Sequence, residues 1–156
     1  RMDDCSKEMQ EKVFKSMTTL NKYACDILKK YDVHALTDVT GFGLLVHLNE
    51  MLDEKNSAII YKDSIPYFDD CKRYVEEFYL SGAAQTNRNS VEGKIYFDCD
   101  FFTEEILFDP QTSGGLLASV SKEDLMDIKK NFIENNLELY VVGEVIDKNE
   151  YNVYVR

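Results

Sequence analysis

Residues 34–45 read His34-Ala35-Leu36-Thr37-Asp38-Val39-Thr40-Gly41-Phe42-Gly43-Leu44-Leu45, and this stretch decides the fold. The segment 33–37 is short, apolar and β-branched enough to predict a strand or an extended lead-in. Two glycines two apart then mark a turn, and from Leu44 the spacing of Leu45, Leu48, Met51 and Leu52 is helical. The turn therefore sits at a helix N-terminus, fed by a strand.

Working outward, Met9, Val13, Met17, Leu20, Ala24, Ile27 and Leu28 recur at steps of three and four. They predict one amphipathic helix, capped by Ser6 and ending near Tyr31. On the other side, 57–61 reads as a strand and 66–80 as a helix opened by Asp63 or Ser64, with Gly82 as its left-handed terminator. Residues 83–90 are polar and small without a period, which predicts a loop. Thr103 caps a short helical turn through Leu107, 109–115 forms a second glycine-rich loop, and 116–120 is a buried strand. Ser121-Lys122-Glu123-Asp124 has the capping-box pattern for a helix through about Asn135, followed by strands at 139–146 and 151–155. Phe68, Tyr74, Phe78, Phe132 and Tyr140 fall at helix or strand periods and are expected in the core, as are His34 and His47 as hydrogen-bonded packing residues. Helices and strands alternate, so the fold class is α/β mixed (α+β), a mixed β-sheet with packed helices, in one domain over 1–156.

The chain has 156 residues, with 29 acidic against 18 basic side chains and a net charge of −11. A domain of roughly 150 residues buries about two thirds of its unfolded surface and needs no disulfide or metal to hold a core. No apolar run comes near the ~18 residues that cross a membrane. With no basic block, the charge argues against a nucleic-acid partner, whose affinity comes mainly from clustered Lys and Arg. Cys5, Cys25, Cys71 and Cys99 are separated by 20, 46 and 28 residues, which reads as scattered reduced thiols of an intracellular protein rather than a zinc set or a disulfide framework. Arg1 precedes Met2, and a helix follows almost at once, so a fragment boundary is expected here.

The informative chemistry lies in two loops, 37–43 and 109–115, which both combine a carboxylate, hydroxyls and paired small residues. A carboxylate on a tight turn can ligate a hard cation such as Mg²⁺, and glycines let backbone N–H groups approach phosphate oxygens. Equally, Asp38 can simply stabilise the turn while the glycines supply unusual backbone angles. Neither loop is a Walker or Rossmann fingerprint.

The string 34–45, followed by Leu107-Phe108-Asp109-Pro110-Gln111-Thr112-Ser113-Gly114-Gly115-Leu116-Leu117, closely resembles selenophosphate synthetase, also called selenide, water dikinase. The resemblance extends to Thr19-Leu20-Asn21-Lys22, to Thr86-Asn87-Arg88-Asn89 and to Val142-Gly143-Glu144-Val145, and so covers essentially the whole chain. It is a resemblance to the carboxy-terminal half of that family only. The wider group contains aminoimidazole ribonucleotide synthetase, thiamine monophosphate kinase and a hydrogenase-maturation protein, and implies the same mixed-sheet carboxy-terminal domain.

What the resemblance implies is an ATP-dependent enzyme that converts selenide, ATP and water to selenophosphate, AMP and phosphate with Mg²⁺. The amino-terminal half would supply the reactive Cys or selenocysteine, an essential Lys, most nucleotide contacts and the main dimer barrel. Within this chain no catalytic residue is then expected. Asp38 matches a Mg²⁺ ligand; Thr37, Thr40, Gly41 and Gly43 shape its turn; Gln111, Thr112, Ser113, Gly114 and Gly115 match the loop near the ATP cleft. Arg88 either faces phosphate or sits on the surface. Val46 departs from the family, many of whose members have Gly there, and so does the lead-in 81–85. The implied setting is a cytoplasmic homodimer, and the isolated chain would be inactive. The alternatives are a stand-alone nucleotide-binding or interaction module, or a purine- or thiamine-branch enzyme of the same group.

Overall fold

A computed structural model describes residues 5–156; the boundary read at Arg1 and Met2 lies outside them. Among the described residues are seven α-helices and six strands, an α+β arrangement as the sequence predicts. The sheet is divided, however. Strands β1 (Val33–Asp38) and β4 (Leu116–Val120) form an antiparallel pair, with Asp38 opposite Leu116 and Thr37 opposite Leu117. The other four make a mixed sheet in the order β3-β6-β2-β5, where β2 is Asn56–Ile60, β3 Ile95–Phe97, β5 Gly143–Asp147 and β6 Val153–Val155. β6 runs parallel to both β2 and β3, whereas β5 is antiparallel to β2.

Two apolar clusters hold these layers. The larger joins Leu45, Val46 and Leu48 of α3 (Gly43–Met51) to Ile60, Val153 and Val155 of the four-stranded sheet and to Leu107 and Phe108 of α6 (Phe101–Phe108). The smaller packs Ile27 and Leu28 of α2 (Lys22–Leu28) against Ile128 and Phe132 of α7 (Leu125–Glu134). Val46 is thus a core residue.

Several expected elements differ, each for a local reason. The single helix 6–31 is two helices, α1 (Lys7–Thr18) and α2. Ser6 does cap α1, its Oγ accepting the Met9 N–H at 3.1 Å. The break falls at Thr18 and Thr19, whose hydroxyls donate back to Phe14 and Lys15 carbonyls, a competition that disfavours helix continuation. The helix expected over 66–80 is only α4 (Cys71–Glu76), and the chain ahead of Pro66 is extended at Ile65. Its terminator is Phe78, not Gly82: Phe78 adopts φ 59°, and the Tyr79 N–H reaches the Tyr74 carbonyl at 2.9 Å in a Schellman closure.

The loop expected over 83–90 is helix α5 (Gly82–Ser90), capped by Ser81, whose Oγ accepts the Ala83 N–H. Only Ala84 and Asn87 of this helix are buried, so it carries no apolar stripe to read. Asp100, not Thr103, caps α6, by accepting the Thr103 N–H at 2.9 Å. The capping box does not form: Ser121 donates to Glu123 instead, and α7 starts later. Strand β4 is half-buried rather than buried, and the last two strands are shorter than expected. Phe132 is in the core, but Phe68, Tyr140 and above all Phe78, at 76% exposed, are not. His34 is exposed beside Asp32; His47 is buried. No helix among the described residues is long and apolar enough to cross a membrane.

Candidate functional site

Strand β1 ends at Asp38, and the chain then turns into α3. Two backbone bonds tie this turn to the second loop, and a third closes the turn on itself. The Val39 N–H donates to the Gly115 carbonyl at 3.0 Å, and the Thr40 carbonyl accepts both the Gly43 N–H and the Gln111 N–H, each at 3.0 Å. The two glycine-rich loops, some seventy residues apart in sequence, are therefore one layered unit.

Close backbone approach explains two of the glycines. Gly43 has φ 72°, and a Cβ there would lie 2.8 Å from the Phe108 carbonyl carbon and oxygen. A Cβ at Gly114 would overlap the Val39 carbonyl oxygen. Side chains lock the unit from outside. Asn87, 3% exposed on α5, donates its amide to the carbonyls of Gly41 and Phe108, both at 3.0 Å. Asn21, at the start of α2, donates to the Gly114 carbonyl at 2.8 Å. The break between α1 and α2 thus coincides with the residue that grips the second loop.

Of the sequence-predicted site residues, Thr37, Asp38, Thr40, Gly41 and Gly43 lie on the first layer and Thr112, Ser113 and Gly114 on the second. Asp38 is exposed on the outward side of β1, and Thr37 donates its hydroxyl to the Asp38 carbonyl at 3.3 Å. Thr112 and Ser113 are exposed, with Ser113 at φ 51°. As an exposed carboxylate at a strand end, Asp38 offers the oxygen chemistry that Mg²⁺ takes. It stands without the company such an ion needs: among the described residues no group of three or more His, Cys, Asp or Glu is assembled to hold a metal.

Arg88 takes neither of its expected roles. Its guanidinium donates to Glu104 and Glu105 of α6 and lies 4.8 Å over the Phe108 ring. Two carboxylates neutralise it, so it braces α5 against α6 instead of offering charge to an anion. At the second loop, Asp109 is half-buried, and burial pushes its carboxyl above the usual range. The Gln111 amide, donating at 3.0 Å, opposes this, and nearby Glu105 adds to it.

Asn21 and Asn87 stand in the sequence only as members of strings that carry the family resemblance, with no periodic signal of their own, and Glu50 by itself gives no signal. Glu50 Oε2 is 3.3 Å from His47 Nδ1, whose Nε2 is 3.2 Å from Thr40 Oγ1. A polar residue on the inner face of α3, three residues before a carboxylate, is the only signal that points to them.

Residues 2–156 match the AIR synthase related protein, C-terminal domain. Among curated relatives, the chain is 43% identical over 147 residues to a selenide, water dikinase of Agathobacter rectalis, covering 93% of this chain and 43% of that protein. It is 36% identical over 144 residues to a selenide, water dikinase of Desulfitobacterium hafniense, covering 92% and 42%. A selenide, water dikinase of Campylobacter jejuni is 34% identical, with the same coverage, 92% and 42%. The chain thus spans less than half the length of these relatives.

Proposed function

The chain belongs to the AIR synthase related protein family, as its carboxy-terminal domain, and from that premise we propose that it forms the carboxy-terminal part of a selenide, water dikinase. Such an enzyme converts selenide, ATP and water to selenophosphate, AMP and phosphate. The observation that supports this reading is the interlock of the loops 37–43 and 109–115, through the Thr40 carbonyl, in a chain whose relatives carry that name.

Phosphoryl transfer asks the protein mainly for position and charge compensation, with little covalent chemistry. A net charge of −11 gives an average field that opposes a polyphosphate, and a cation at the phosphates would offset it. Asp38 is the residue that would hold Mg²⁺, and the ion, when bound, would neutralise phosphate charge. Thr37, Thr40, Gly41 and Gly43 hold Asp38 in place; Thr112, Ser113 and Gly114 border the nucleotide side of the cleft. In this reading the nucleophile, the essential Lys and most ATP contacts come from an amino-terminal half outside this chain. The complete enzyme is a cytoplasmic homodimer in this reading, and the 156-residue chain alone is a folded but inactive domain.

Selenophosphate formation from selenide and MgATP, followed by phosphorus NMR, tests this. The 156-residue chain should give no product, and the same chain joined to the amino-terminal half of a dikinase should turn over. Turnover by the isolated chain at the rate of the joined protein would overturn the reading.

A further inference from the structure

Thr40 is held at both its carbonyl and its hydroxyl. Its carbonyl is saturated by the Gly43 and Gln111 N–H groups, and its hydroxyl faces His47 Nε2 at 3.2 Å. His47 is only 8% exposed, sits on α3, and is flanked by the Phe42 ring at 5.9 Å, edge to face. Its other nitrogen, Nδ1, is 3.3 Å from Glu50 Oε2.

These partners bear on where the ring hydrogens sit. Glu50 lies on the Nδ1 side of the ring and a carboxylate only accepts, so the tautomer that suits both neighbours carries its hydrogen on Nδ1. In that tautomer Nε2 is bare and accepts the Thr40 O–H. The single hydroxyl hydrogen of Thr40 is committed to the ring, and what remains is its lone pairs. We propose that His47, held by Glu50, is a positioning residue that fixes the Thr40 hydroxyl as an acceptor-only group two residues after Asp38. Such a group suits a cation or the water bound to one. It does not suit a bare phosphate oxygen, which would need a hydrogen to accept. The inference rests on reading the first loop as a cation-bearing turn, and it assigns Thr40 to the metal side of that turn rather than the phosphate side.

Long-range proton–nitrogen correlation of the histidine-labelled chain reads this directly. His47 should show Nδ1 in the protonated-nitrogen range and Nε2 in the bare-nitrogen range. Glu50→Ala, at an exposed side chain, should move the ring toward the Nε2–H tautomer. Thr40→Val should shift Nε2 alone and leave Nδ1 protonated. An Nε2–H ring in the unmodified protein, or a tautomer indifferent to Glu50→Ala, would overturn the proposal. The tautomer reports on His47, whereas turnover of an Asp38 variant reports on the cation turn, so the two readings can fail separately.

Discussion

Asn87 donates its side-chain amide to the carbonyl of Gly41 at 3.0 Å, across 46 residues of chain, and the same amide reaches Phe108. One buried side chain therefore fastens the first loop to the end of α6. Asn87→Ala leaves the buried Phe108 carbonyl without this donor, at a cost of about 1–3 kcal/mol. Asn87→Asp should cost more, because an ionised carboxylate would face two carbonyl oxygens. Urea unfolding monitored by circular dichroism checks both; an unchanged midpoint for Asn87→Asp would contradict the donor role.

The first loop also separates a glycine that the fold needs from one it does not. Gly43 is in the left-handed region with the Phe108 carbonyl 2.8 Å from a would-be Cβ, whereas nothing lies within 4 Å of a Cβ at Gly41. The left-handed conformation alone costs a side chain roughly 1–2 kcal/mol, and the overlap adds to it, so Gly43→Ala should lose about 2–4 kcal/mol. Gly41→Ala should stay within ~0.5 kcal/mol. Thermal unfolding of the pair decides this. If Gly41→Ala keeps stability yet lowers turnover in a complete enzyme, the exposed backbone at 41 faces the ligand.

These relationships also mark what is legible in the sequence. The strands over 33–37, 57–61 and 116–120 could be read because β-branched and apolar runs have few other uses, and both glycine-rich loops announce themselves by composition. Helix α5 could not be read, because its inner face is an alanine and an asparagine, and periodicity needs apolar bulk. Nor could the end of α4, where Phe78 takes the left-handed position usually filled by glycine and the nearby Gly82 draws the eye. The site residues on the loops were recognisable one by one. Their assembly was not, since the bond from Gln111 to Thr40 and the grip of Asn21 on Gly114 join positions whose proximity no local pattern encodes.

Asp109 gives a pH signature. Burial raises its folded carboxyl above the ordinary 3.8, so its contribution to stability is full below that value and is lost as pH rises through the folded value. At neutral pH the ionised group is a net cost. Asp109→Asn, whose Oδ1 can still accept from Gln111, should therefore raise the unfolding midpoint near pH 7. The advantage should shrink toward zero as pH falls below about 3.8. Parallel denaturant titrations of both proteins across that range check the sign. An advantage that grew on acidification would mean that the folded carboxyl lies below its ordinary value.

Asp38 should show the opposite division between stability and activity. It is exposed at the end of β1, and its structural ties run through the backbone: its carbonyl accepts the Thr37 hydroxyl, and the following Val39 N–H is held by Gly115. Asp38→Asn keeps the shape and removes the charge, so unfolding should shift by no more than ~0.5 kcal/mol, as for most surface substitutions. In a protein carrying the complete site, the loss of a carboxylate that holds the cation against ATP phosphates should lower turnover on the order of 10²-fold or more. The defect should ease as Mg²⁺ is raised, because a weakened metal site can be refilled by mass action. Turnover within a few-fold of the unsubstituted protein at limiting Mg²⁺ would remove Asp38 from the metal site and leave it as a turn residue.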